Sequence, residues 1–137
     1  MDPVKILLID DDSDDQEIFT WVIKSIDPLL VVDNATDGVE ALEKLKDEHY
    51  HPDLIFLDLN MPRMHGLDCL KHIRGISRLN ECPVIVYSTS SNPQDIAKCR
   101  MAGADDYIVK GNEMSVIKQD LSQALEKYNP RLPTIHE

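Results

Sequence analysis

The sequence predicts an α/β fold, a doubly wound sheet of five parallel strands built as five βα units. Three observations carry that prediction. Five short apolar runs alternate with longer segments whose apolar residues recur at helical spacing. Most of the runs are continuously apolar rather than alternating, as expected of strands covered on both faces. Four of the runs end on a residue able to do chemistry: Asp10, Asp58, Ser88 and Lys110.

Taken in order, residues 4–9 form the first predicted strand. Phe19, Val22, Ile23 and Ile26 then mark a helix, for which Ser13 with Gln16 three residues on reads as N-cap and capping partner. Residues 29–32 read as the second strand, and Val39, Leu42 and Leu45 as the core side of a second helix. Residues 54–57 follow as a strand, and Leu67, Leu70 and Ile73 as a helix. The fourth strand, 84–87, precedes a less regular helical segment at 95–101. The last unit pairs residues 107–109 with a helix carrying Val116, Ile117, Leu121, Ala124, Leu125 and Tyr128. Right-handed crossovers then require helices on both faces, with the functional site at the carboxyl ends of the strands beside a topological switch point.

The chain reads as one domain over 1–128, followed by a tail over 129–137 that carries Pro130 and Pro133. Lys and Arg number 14 against 25 Asp and Glu, a formal charge of −11. That balance argues against nucleic acid, whose phosphates need basic side chains, and suits a cation or a basic protein surface. The cysteines, Cys69, Cys82 and Cys99, are an odd number without a CxxC pair, so free thiols in a reducing compartment are expected. The first apolar run is too short for a signal peptide and no run is long enough to span a bilayer. A cytoplasmic protein without membrane contact is expected.

Asp10-Asp11-Asp12 ends the first strand and Asp58 the third. Carboxylates converging from separate strands repel, so the cluster is costly unless a cation neutralises it. An all-oxygen set suits Mg²⁺. Asp12 and Ser13 are better read as turn or cap residues. A calcium loop starting at Asp10 fails, because positions 15 and 21 hold Asp and Trp where Gly and Glu are needed. Ser88 and Thr89 add hydroxyl donors and Lys110 a cation. Together with a carboxylate nucleophile and a divalent ion, they make an electrostatic clamp for a phosphoryl group. His49 and His51 flank Tyr50 in a polar loop and are read as solvated, while His65 and His72 show no partner.

The segments Ile6-Leu7-Leu8-Ile9-Asp10-Asp11, Asp58-Leu59-Asn60-Met61-Pro62-Arg63-Met64-His65-Gly66, Pro83-Val84-Ile85-Val86-Tyr87-Ser88 and Gly103-Ala104-Asp105-Asp106-Tyr107-Ile108-Val109-Lys110 resemble the response regulator receiver family. The resemblance runs over about residues 4–128. It implies a flavodoxin-like strand order of 2-1-3-4-5. It implies phosphorylation on Asp58 by a sensor histidine kinase or phosphotransfer protein, with Mg²⁺ held by Asp10, Asp11, Asp58 and the backbone carbonyl of Asn60. Ser88 and Lys110 would meet the phosphoryl group, and Ser88 with Tyr107 would form the switch. Self-dephosphorylation would be slow at most, so the chain would not be an enzyme. Output would pass to an unidentified downstream protein, a further relay or a homodimer. The acid-rich start, Ser88-Thr89 and the lack of a proline after Lys110 are similar to stand-alone receivers serving phytochrome-like kinases.

Two rivals carry different expectations. A phosphatase of the haloacid dehalogenase type needs a second acid two residues after its nucleophile, and Asn60 cannot transfer a proton. A degenerate receiver that only binds partners is at odds with Asp11, Asp58, Ser88 and Lys110 all being present. Where the family has Lys-Pro, this chain has Lys110-Gly111. A trans bond is expected there, with Gly111 free to take φ > 0 and Lys110 still within reach of Asp58.

Overall fold

A computed structural model describes residues 3–128. The predicted tail at 129–137 lies outside them. The elements run β1 (Lys5–Ile9), α1 (Ser13–Ile26), β2 (Val31–Ala35), α2 (Gly38–Lys46), β3 (Leu54–Leu57), α3 (Gly66–Arg74), a 3₁₀ turn (Ser77–Leu79), β4 (Val84–Ser88), α4 (Pro93–Met101), β5 (Asp106–Val109) and α5 (Met114–Tyr128). The sheet is parallel throughout, in the order β2-β1-β3-β4-β5.

The continuous apolar runs divide cleanly between the two faces, because successive side chains of a strand point opposite ways. Leu7, Ile9, Ile55, Leu57, Val84 and Val86 pack with Leu42, Leu45, Leu70 and Ile73 of α2 and α3. Ile6, Leu8, Leu54, Phe56, Ile85 and Tyr87 pack with Phe19, Val22, Ile117 and Leu121 of α1 and α5. Phe19, Phe56 and Tyr87 form an aromatic trio on that second face, the first two in an edge-on contact 4.9 Å between ring centroids. The chain moves one way from β1 to β2 and the opposite way from β2 onward. Crossovers of one hand therefore put α1 on one face and α2, α3 and α4 on the other.

Two predicted boundaries need correction. The second strand was expected at 29–32, but β2 spans Val31–Ala35 and Leu29 is 79% exposed. As an edge strand β2 has room for polar side chains. Asp33 accepts hydrogen bonds from Tyr50 Oη at 2.7 Å and Lys44 Nζ at 3.5 Å, partners from outside the strand. The N-cap of α1 is Asp12 rather than Ser13: its Oδ1 accepts from the backbone of Asp14 and Asp15, and Ser13 is already the first helical residue. A carboxylate is the stronger acceptor and meets the positive end of the helix dipole.

Candidate functional site

β1 and β3 lie side by side where the strand order reverses, with Ile9 opposite Leu57. Their next residues, Asp10 and Asp58, are therefore neighbours at the carboxyl rim. Backbone bonds lock both in place: Asp58 N–H donates to Ile9 O at 2.9 Å and Asp10 N–H to Ala35 O at 3.0 Å. Both carboxylates are buried, while Asp11 is exposed at the mouth. One oxygen from each of Asp10, Asp11 and Asp58 can be chosen so that all three lie within 4.8 Å of one another. That hard, all-oxygen trio fits a divalent cation such as Mg²⁺.

Lys110 continues β5 into the same rim, its N–H donating to Ser88 O at 2.8 Å. Its ammonium donates to Asp10 Oδ2 at 2.8 Å and Asp15 Oδ2 at 2.9 Å, and stands 3.9 Å from Asp58 Oδ1. The expected approach to Asp58 is thus present, but the two shorter contacts go elsewhere. Burial alone would lower the lysine's pKa, yet the bonds to Asp10 and Asp15 and the charge of Asp58 outweigh it and raise it. Burial likewise pushes Asp58 up to about 6, opposed by Lys110 and helped by Asp10. Asp10 is raised by burial too, against the pull of its bond to Lys110. Two acids whose pKa values are raised around one retained cation mark a pocket built to receive more positive charge.

The other predicted residues fall around this centre. Ser88 is fully buried at the end of β4, and its Oγ accepts from Ser90 N–H at 3.2 Å. Tyr107 is half-buried, and its hydroxyl donates to Ser90 O at 2.7 Å. Asn60 is exposed two residues past Asp58. Thr89 is exposed, as are His49 and His51, which approach Glu48 and Arg78 rather than the rim. The Lys110–Gly111 peptide is trans, but Gly111 does not take a positive φ. Glycine supplies room there instead: a Cβ would stand 3.0 Å from Val116 Cγ1 on α5.

Residues that sequence reading passed over hold the loop after Asp58. Arg63, at φ 67, donates through Nε and Nη2 to Asp37 Oδ2 at 2.8 and 2.6 Å. Asp37 is buried and also caps α2, its Oδ1 accepting from Glu40 N–H at 2.9 Å. The cap bond from Glu40 N–H, and after it the bond from Arg63, hold the Asp37 carboxyl below its ordinary range against the effect of burial. His65 caps α3, Nδ1 accepting from Leu67 N–H at 3.2 Å. Asp37 is of a residue type favoured at helix N-caps, a signal that could have found it, whereas cap preferences give no reason to nominate His65. Asp37→Ala should lower stability by about 1–2 kcal/mol. Asp37→Asn, which keeps the cap, should lose less than half of that in urea titration.

A shallow groove of about 710 Å³ lies beside the rim rather than on it, bounded by Gln16, Ile18, Trp21 and Met114. Trp21 is 63% exposed there. Among the described residues no helix is long and apolar enough to cross a membrane.

Comparison with known proteins agrees with this geometry. A family model described as the response regulator receiver domain matches residues 6–122. A chemotaxis protein of Helicobacter pylori, CheY1, is 34% identical over 89% of this chain and 97% of its own. The crystal structure of the phosphorylated cyanobacterial phytochrome response regulator RcpA superposes with a TM-score of 0.87 at 29% identity, covering 96% of this chain and 97% of that one. The Mn²⁺-bound form of the response regulator Rcp1 gives 0.83 at 25% identity, covering 96% and 98%.

Proposed function

Because the chain belongs to the response regulator receiver family, we propose that it takes a phosphoryl group onto Asp58 from a histidine kinase or phosphotransfer protein. The single observation that carries this reading is the rim itself. A buried carboxylate at the end of β3 faces two further acids and a buried ammonium at the switch point of the sheet.

In the proposed reaction an Asp58 oxygen attacks phosphorus as the bond to the donor imidazole nitrogen breaks and that nitrogen keeps the electron pair. The product is an acyl phosphate. Mg²⁺, held by Asp10, Asp11, Asp58 and the Asn60 carbonyl, would supply positive charge to the phosphoryl oxygens. Lys110 meets one of those oxygens with its ammonium. Ser88 donates its hydroxyl to another, which draws it away from Ser90 N–H. The change at Ser88 leaves space beside β4 that the Tyr107 ring can enter, giving up its bond to Ser90 O. That pair is the proposed switch, and it faces the α4–β5–α5 surface where a downstream protein or a second copy would read it. Ile18, Trp21 and Met114 make an apolar patch next to the rim, suited to the donor protein. Residues 1–128 form the receiver in this reading, and no turnover of phosphate esters is expected because Asn60 stands where a proton-transferring acid would be needed.

Incubation with acetyl phosphate tests the reading directly. Intact mass should show one added phosphoryl group per chain with Mg²⁺ and none with a chelator in excess. Equal labelling under both conditions, or repeated release of phosphate from small esters, would replace it with another chemistry.

A further inference from the structure

Lys110 is held by one acid from outside the metal trio. The ammonium has three protons to donate. One goes to Asp10 at 2.8 Å and one to Asp15 at 2.9 Å, while Asp58 at 3.9 Å lies beyond hydrogen-bond length. Asp15 belongs to the first turn of α1, and its backbone N–H is pinned by the Asp12 cap at 3.0 Å. It is not among the three acids whose oxygens lie within 4.8 Å of one another. From this geometry we propose that Asp15 is a positioning residue. It takes up part of the charge of Lys110 in the unphosphorylated protein, so that lysine and dication can share one pocket. The inference rests on the proposed metal-dependent phosphorylation and adds a residue to it.

The physical reason is competition for Asp10. An ammonium bonded to Asp10 Oδ2 occupies one of the two oxygens that Asp10 can offer a dication, and two cations so close repel strongly where little water screens them. The Lys110 side chain is only 9% exposed, so that repulsion is not dissipated. A carboxylate bonded to the same ammonium from outside the trio offsets it. When Asp58 becomes phosphorylated, its new oxygens are the stronger acceptors and Lys110 can exchange Asp15 for one of them. An ordinary surface ion pair would do none of this. Asp15, 38% exposed, would then matter little to anything but a small part of the stability.

The two cases separate in a double-mutant cycle on Mg²⁺ affinity, measured by titration calorimetry without phosphoryl donor. Asp15→Asn should weaken Mg²⁺ binding by about three- to tenfold, because an undivided Lys110 charge then faces the ion. In a Lys110→Gln background the same change should cost less than about twofold. Asp14→Asn, which removes an exposed acid from the same turn without touching Lys110, serves as the measure of general charge loss and should also cost less than about twofold. A second readout needs no metal. In nitrogen-15 spectra the Lys110 ammonium should exchange its protons with water faster in Asp15→Asn than in wild type. Equal losses for Asp15→Asn with and without Lys110, or a loss no larger than that of Asp14→Asn, would overturn the assignment while leaving phosphorylation on Asp58 intact. Wild type that bound no Mg²⁺ would overturn both.

Discussion

Asp58→Asn will accept no phosphoryl group from acetyl phosphate and Mg²⁺, and without metal at pH 8 it will be more stable than wild type. The first effect is all or none, since an amide is no nucleophile for phosphorus. The second follows from burial, which raises the Asp58 pKa from an ordinary 3.8 to about 6, with Lys110 opposing and Asp10 adding to the rise. The unfolded chain loses this proton near pH 4 and the folded chain keeps it to about pH 6. Stability from this group is therefore full below pH 4 and is lost as pH rises through 6. Ionised Asp58 then costs the metal-free fold up to about 3 kcal/mol at pH 8. Asparagine has nearly the same shape and can still accept from Leu59 N–H, which now donates to Asp58 Oδ1 at 2.9 Å. The attraction to Lys110 is already contained in that pKa, so about 3 kcal/mol is the ceiling and any loss of packing or hydrogen bonding in the amide lowers the gain. A rise in Tm of about 5 °C is expected at pH 8, shrinking toward zero by pH 4. Mg²⁺ should stabilise wild type more than the variant. A difference in Tm that stays constant over that pH range would show that ionisation of Asp58 is not its source.

Gly66→Ala should be the most damaging single methyl in the chain. A Cβ there would lie 2.2 Å from the carbonyl oxygen of Asp58 and 2.6 Å from Leu59 Cα, both backbone atoms. Gly66 N–H donates to Leu59 O at 2.7 Å, so the start of α3 is fastened to the phosphoacceptor segment by the same close approach. Neither side can yield without moving Asp58. The expected cost is about 3 kcal/mol or more in urea titration. Mg²⁺ affinity should fall as well, because Asn60 lies on the displaced loop. Gly75→Ala is the contrast. Gly75 sits in ordinary helical conformation at φ −80, with the nearest atom 3.3 Å from a Cβ, and should change stability by less than about 1 kcal/mol. Equal costs for the two would mean that the α3 start has slack the structure does not show.

What could be read from residues alone follows from what is local or periodic. Continuous apolar runs of strand length, separated by helical spacing, are enough to require a parallel sheet with two covered faces. Once that sheet is granted, Asp10, Asp58, Ser88 and Lys110 come to one rim because parallel strands end on the same side. The βα order does not distinguish 2-1-3-4-5 from other windings; the motif resemblance supplied that, and the sheet has that order.

Tertiary structure decided which partners those residues take. β2 lies two to three residues later than its apolar run, and its Asp33 finds Tyr50 and Lys44, which hydropathy in a short window cannot weigh. Asp12 displaced Ser13 as cap of α1. Lys110 bonds Asp15 across 95 positions of sequence, and Arg63 bonds Asp37 across 26. Gly111 serves a close contact with Val116 rather than a left-handed turn. In each case the choice lies between acceptors or spaces of similar chemistry. Chemical type is written in a residue's name, whereas the distance that selects one partner over another exists only when the helices have packed onto the sheet.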